Sequence, residues 1–146
     1  MGDQCSATGI QAWLALIRVH DKMQRHTASH LECYDLTTAQ YDVLAQLHDS
    51  PGIPQQELAE RLFVSKGNVC GLIDRMSKHG LVERRGDPED RRINLLYLTE
   101  LGQKVAVDAV PAYGDFILDH FANLSEKEQQ TLGDLLRKLE TYLEGH

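Results

Sequence analysis

Three observations in the sequence predict a mostly α-helical chain with a small β-hairpin, an α+β fold in which a winged helix-turn-helix is flanked by N- and C-terminal dimerisation helices. The first is a pair of short apolar faces lying close together: Leu58, Ala59 and Leu62, followed by Val69, Leu72, Ile73 and Met76. The second is a change of period after Gly80, from helical spacing to the extended runs LVERR and INLLYLT, with Gly86, Asp87 and Pro88 forming a turn between them. The third is a set of amphipathic segments on either side, whose apolar stripes exceed what a head of about 45 residues can cover.

In chain order, the opening segment, about residues 7–31, reads as one long helix. Ile10, Trp13, Leu14, Ile17 and Met23 follow helical spacing, and Arg18, Asp21, Lys22 and Arg25 fill polar positions between them. Trp13 is expected to be a packing anchor, because aromatic residues at helical spacing usually belong to a core. A second helix, about Thr38 to His48, is capped by Thr37 and stopped by Ser50-Pro51-Gly52, with Leu44 and Leu47 turned to the core. Pro54 suits a first helical position, where a missing N–H costs nothing. Phe63 and Val64 close the turn, Ser65 caps the second helix of the pair, and Gly80 ends it in the left-handed conformation. The hairpin that follows carries Arg91 and Arg92 at its tip.

Beyond the hairpin, Thr99 caps a helix that continues through Leu101, Val105, Ala109 and Val110. Pro111 is expected to kink or break it. Asn123-Leu124 interrupts the chain, and Ser125 with Glu128 has the spacing of a capping box. The last helix then carries Leu132, Leu135, Leu136, Leu139 and Leu143 on one face. That stripe and the apolar face of the first helix require cover, so a two-fold homodimer built on residues of about 7–31 and 100–144 is expected, with the winged helix at about 36–99.

Composition narrows the function. A length of 146 residues suits a single domain, 1–146, that needs no disulfide staples. The three cysteines, Cys5, Cys33 and Cys70, have no framework spacing and fit a reducing compartment. No apolar run is long enough to span a bilayer, and MGDQCSATG lacks the features of a signal peptide, so a cytoplasmic location and no membrane partner are expected. The formal net charge is -7. Its distribution is uneven: residues 57–96 hold eight Lys or Arg against seven Asp or Glu, a net of +1, which leaves -8 for the remainder. A locally basic head on an acidic body can grip phosphates while the rest of the molecule repels them.

The residues Leu58-Ala59, Val64-Ser65, Val69, Leu72-Ile73-Asp74-Arg75, Gly80-Leu81-Val82-Glu83-Arg84, Asp90-Arg91-Arg92 and Leu98-Thr99-Glu100-Leu101-Gly102, in this order and spacing, resemble the winged-helix core of the MarR (multiple antibiotic resistance regulator) family. Leu36-Thr37-Thr38-Ala39-Gln40-Tyr41-Asp42-Val43-Leu44 is similar to the helix preceding that core, with Tyr41 at its aromatic position. The resemblance implies a DNA-binding regulator of transcription, a homodimeric repressor. It further implies release by a small molecule, oxidant or metal acting near the junction of the dimer helices and winged domain.

The helix wheel nominates the residues that would read double-stranded DNA. With the apolar face inward, Lys66, Gly67, Asn68, Cys70, Gly71, Asp74, Arg75 and Lys78 point outward. Asn68 can pair with adenine and Lys66 can donate to guanine or phosphate, while Gly67 and Gly71 allow close approach. Ser65 is either a cap alone or a cap beside a phosphate. Arg75 and Lys78 would grip the backbone or form ion pairs. Arg91 or Arg92 could enter a narrow minor groove. The resemblance implies that Arg92 either reaches DNA or is held by acidic neighbours such as Asp90 or Asp74.

No nucleophile elbow, glycine-rich phosphate loop or HExxH motif marks an enzyme, and no cofactor is expected. His26, His30 and Cys33 stand at i, i+4 and i+7 and are weighed as a metal site, although scattered polar residues at a helix end are more common. Each cysteine is weighed as a thiol sensor against the simpler reading of a small packing residue. The rival from another class is a winged-helix protein-interaction module, which the acidic net charge would suit.

Overall fold

The computed structural model describes residues 2–146, with side chains from residue 7 onward. Cys5, considered above as a thiol sensor, lies outside the described side chains. By internal packing the chain divides into two compact units, Met1–Val110 and Pro111–His146.

In the first unit, α1 (Gly2–Glu32) is followed by α2 (Thr38–Asp49). The start of α2 is fixed by a reciprocal cap: the Thr37 hydroxyl accepts from the Gln40 amide at 3.1 Å, and the Gln40 side chain accepts from the Thr37 amide at 3.0 Å. The buried face of α2 comprises Tyr41, Val43, Leu44 and Leu47, and Leu31 and Leu36 are buried as well. Trp13 does not enter this core. Its side chain is 58% exposed, and Ile10 and Leu14 are exposed beside it, because α1 presents this face away from the packed part of its own unit.

A strand unseen in the sequence comes next. β1 (Ile53–Pro54) is two residues long, too short for any alternation to register, and pairs antiparallel with β3 (Asn94–Leu98) through Ile53 opposite Leu96. The expected two-stranded hairpin is therefore part of a three-stranded sheet, in the order β1-β3-β2, with β2 spanning Val82–Gly86. Pro54 consequently occupies the N-cap of α3 (Gln55–Arg61) and not its first turn. The turn into α4 (Lys66–Lys78) is made by Phe63 at φ 54°, with its amide bonded to Glu60 and that of Val64 to Ala59. The Phe63 side chain itself is 93% exposed.

Gly80, at φ 74°, ends α4 as its spacing predicts, and the Leu81 amide reaches back to the Met76 carbonyl. This end is joined to α5 (Glu100–His120) through Thr99, whose amide donates to the Leu81 carbonyl at 3.0 Å and whose hydroxyl accepts from Gly102 N–H at 3.0 Å and donates to the Gly80 carbonyl. The inner face of α5 consists of Gly102, Ala106 and Ala109. Leu101, through which the helix was expected to run, is exposed. The reason is steric: the helix approaches the α4–β2 junction so closely that only glycine fits at the contact. Pro111 lies inside α5, which continues to His120 without a break. One lost backbone hydrogen bond does not outweigh the intact ladder on either side.

The second unit contains the remainder of α5 and α6 (Glu126–Glu144). Ser125 and Glu128 form the anticipated capping box, at 3.1 and 2.8 Å. Gln129 ties the preceding turn to α6 by donating to the Phe121 and Leu124 carbonyls. None of the five leucines of the stripe is buried, and Leu135 is 60% exposed.

The close approach at Gly102 generates a prediction. A β-carbon there would lie 2.0 Å from the Leu81 carbonyl oxygen, which belongs to the backbone of the junction and cannot step aside. Gly102→Ala is expected to destabilise the fold by roughly 2–3 kcal/mol in chemical denaturation. A variant as stable as the native chain would show that the junction can open without cost.

Candidate nucleic-acid interface

The interface is built on α4. Ser65 caps it, its hydroxyl accepting from the Asn68 amide at 3.1 Å. The amides of Lys66 and Gly67 belong to a first turn that has no intrahelical acceptors and are directed outward. Val69, Leu72, Ile73 and Met76 are buried, which rotates Lys66, Gly67, Asn68, Cys70, Asp74, Arg75 and Lys78 to the exposed side. Gly71 lies on the same side and is half-buried. A β-carbon there would meet only the Arg75 guanidinium, at 3.5 Å.

The second component is the loop between β2 and β3, residues 87–93. It is closed by the Asp87 amide on the Ile93 carbonyl and stiffened by the Glu89 amide on the Asp87 carboxylate, at 2.9 Å each. Asp90 accepts from the Arg92 amide at 3.1 Å and, side-on, from Nε and Nη2 of its guanidinium at 3.0 and 3.1 Å. Arg92 is therefore held by Asp90 and not by Asp74. Asp74 pairs instead with Arg84 of β2, at 2.6 Å.

A cleft of about 300 Å³ joins the two components, with Lys66 and Val69 of α4 on one side, Asp87, Arg92 and Asn94 of the wing on another, and Gln55 and Gln56 of α3 at its end. It places a cation from the helix and a cation from the wing on a single concave surface. The cations of the head divide into two groups. Arg61, Arg84, Arg85 and Arg92 are each paired with a carboxylate of the head: Glu57, Asp74, Glu83 and Asp90 respectively. Among the described residues no carboxylate pairs with Lys66, Arg75, Lys78 or Arg91, and all four are exposed on α4 or at the wing tip.

Arg84 was not nominated from the sequence. Its Nε donates to the Gln55 side chain at 2.9 Å, and its Nη2 to the Cys70 carbonyl at 3.2 Å, beside the ion pair with Asp74. A signal was present: strand alternation places Arg84 on the same side as the buried Val82, an inward position for a charged residue. Arg85, on the other side, lies 4.2 Å over the Tyr97 ring. The remaining sensor candidates do not converge. His26 and His30 lie on α1, Cys33 falls in the turn after it, and among the described residues no group of three or more His, Cys, Asp or Glu side chains is placed to hold a metal ion. Cys33 and Cys70 are both free and exposed.

A capped helix with a cationic outer face, backed by a three-stranded wing, defines a winged-helix reading head. A MarR-family sequence profile matches residues 34–93. The transcriptional regulator HosA of Escherichia coli O111:H- is 36% identical over 127 residues, 86% of this chain and 93% of HosA. Among solved structures, AbsC, a MarR-family regulator from Streptomyces coelicolor, matches with a TM-score of 0.87 at 26% identity, over 95% of this chain and 96% of AbsC. A mutant MarR from Escherichia coli complexed with operator DNA matches at 0.82 with 30% identity, over 89% and 94% of the two chains. The protein belongs to the MarR family of transcriptional regulators. Among the described residues no helix is long and apolar enough to cross a membrane.

The Asp90–Arg92 pair has a pH signature. The Arg92 side chain, and after it the Arg92 amide, hold the Asp90 carboxyl below the ordinary aspartate range. A carboxyl lowered on folding supports the structure fully above the unfolded value, about 3.9, and that support is lost as pH falls through the lowered value. In an NMR titration, the Arg92 backbone amide and Nε–H are expected to leave their bonded positions only below about pH 3.9. An Asp90 midpoint at or above that value would contradict the pairing in solution.

Proposed function

We propose that this protein is a homodimeric repressor that binds a pseudo-palindromic operator in double-stranded DNA. The observation that carries the reading is the placement of the head's unneutralised cations, Lys66, Arg75, Lys78 and Arg91, on the outer face of α4 and the wing tip. In this reading the start of α4 enters the major groove. Lys66 and Asn68 address base edges, Gly67 and Gly71 admit the groove wall, and Ser65 orients the first turn toward a phosphate. Arg75 and Lys78 bind backbone and set affinity more than sequence. Arg91 and Arg92 approach a minor groove, with Asp90 holding Arg92 extended and Asp74 supporting the wing from α4. The operator DNA in the E. coli MarR structure supports the assignment by analogy.

Dimerisation is supported by apolar surface that neither unit covers from within: Ile10, Trp13 and Leu14 on α1, and the leucine stripe on α6. A two-fold axis would set two α4 helices about 34 Å apart, one turn of DNA. The acidic remainder of the chain restricts contact to the heads.

The test is selection of bound duplexes from a random pool, at low and moderate salt, with native protein and with an Arg91→Ala/Arg92→Ala variant. Enrichment of a pseudo-palindrome that weakens in the variant is the expected result. No enrichment at either salt level would overturn the repressor reading for the ligand-free protein. Gly67→Ala separates fold from function: nothing lies within 4 Å of a β-carbon there. Helix stability should hold or rise by up to about 1 kcal/mol, while affinity for the selected duplex falls about ten-fold through loss of close approach. Unchanged affinity would place the groove elsewhere.

A further inference from the structure

We propose that Arg84 is a positioning residue for DNA binding, bracing the wing against α4 so that the helix and the wing tip are held at a fixed separation, without itself touching DNA. The inference deepens the DNA-reading function proposed above and rests on it.

β2 is the edge strand of the sheet and pairs only with β3. Its attachment to α4 therefore has to come from side chains. Two such links exist among the described residues. At the foot of the strand the Ser77 hydroxyl of α4 donates to the Val82 carbonyl at 3.1 Å. Two residues further out, Arg84 spans three elements, with Nε on Gln55 of α3, Nη2 on the Cys70 carbonyl of α4 and Nη1 on Asp74 of α4. The β1–β3 pairing anchors the hairpin only as far as Leu95, so with the Ser77 link alone the outer half of β2 would have no tie to α4. A second link about 7 Å along the strand fixes its direction, and any angular error there grows toward residues 91 and 92.

The chemistry at this point requires a guanidinium. Three donors in one rigid plane reach a side-chain amide, a helix carbonyl with its second lone pair, and a carboxylate. A lysine ammonium carries the same charge but lacks the planar fork needed to span them. The Arg84 side chain is only 25% exposed, and each of its three guanidinium nitrogens already has a partner within the head. It is thus disposed to act through the wing, in contrast to Arg91 at the tip.

The test measures Arg84→Lys on the full chain, alone and in the Arg91→Ala/Arg92→Ala background, against the duplex enriched by the native protein. Arg84→Lys is expected to weaken binding about ten-fold in the native background and by less than about two-fold where the wing arginines are already absent, because the two changes remove one shared contribution. In the second background the salt dependence should stay the same. Equal losses from Arg84→Lys in both backgrounds would show a contribution independent of the wing, and an Arg84→Gln variant whose salt slope falls by about 0.9 would show a direct phosphate contact that a lysine preserves; either result would overturn the proposal. So would unchanged affinity in the native background. Without DNA, backbone ¹⁵N relaxation of residues 87–93 should show greater mobility in Arg84→Lys while the thermal midpoint stays within a few degrees. Unaltered relaxation overturns the brace. Failure of the native protein to select any duplex would overturn the DNA reading and the DNA role of Arg84 together, whereas the relaxation measurement tests the brace by itself.

Discussion

The rotation of α4 about its own axis is the constraint on which the rest of the molecule depends. Four side chains, Val69, Leu72, Ile73 and Met76, are removed from water on one side of a helix only 13 residues long. Each contributes about 1.5–3 kcal/mol on burial. No alternative rotation conceals the same four, so the opposite face is determined as strictly as the core. The exposed series from Lys66 to Lys78 therefore follows from packing. Ser65 at one end and Gly80 at the other limit the axial position of the helix as well, one by satisfying an orphan amide and the other by permitting a left-handed turn into Leu81.

Charge operates on top of that geometry. A formal net charge of -7 argues against nucleic acid only if charge is averaged over the chain. Within the head, four arginines are neutralised by carboxylates of the head, and these pairs serve the structure: Arg61 with Glu57 along α3, Arg84 with Asp74 between β2 and α4, Arg85 with Glu83 on β2, and Arg92 with Asp90 at the wing. Exposed pairs of this kind contribute little stability individually, and their effect is to hold direction. The cations left without such partners share the exposed face of α4 and the wing tip. An acidic body then penalises every approach of a polyanion except one led by the head.

Much of this was legible in the sequence because it depends on local rules. The caps at Thr37, Ser65 and Ser125, the apolar faces of α2 and α4, and the glycine at the end of α4 involve residues no more than about four positions apart. What escaped depends on distant partners. β1 exists only because Leu96, more than forty residues later, offers Ile53 a backbone to pair with. The exposure of Leu101 reflects the close contact between Gly102 and the Leu81 carbonyl, and hydrophobicity alone would place the leucine inside. Trp13 satisfies helical spacing yet finds no core within its own unit. Of the nominated site residues, the outer face of α4 emerged from the helix wheel, whereas the choice of Asp90 over Asp74 as the partner of Arg92 required the fold of the wing.

Arg84 illustrates why a reading head needs residues that do not read. A recognition helix and a wing tip can cooperate only if their separation matches that between a major groove and its neighbouring minor groove. That separation is a property of a joint, and a joint between a helix and an edge strand has few backbone bonds of its own. Side chains must supply them. A planar guanidinium bonded simultaneously to Gln55, the Cys70 carbonyl and Asp74 converts a hinge into a corner. The same economy appears at the C-terminal end of α4, where Thr99 bonds Gly80, Leu81 and Gly102 at the start of α5. With the middle of α4 tied to the wing through Arg84 and its C-terminal end tied to the start of α5 through Thr99, polar side chains brace these three elements against one another.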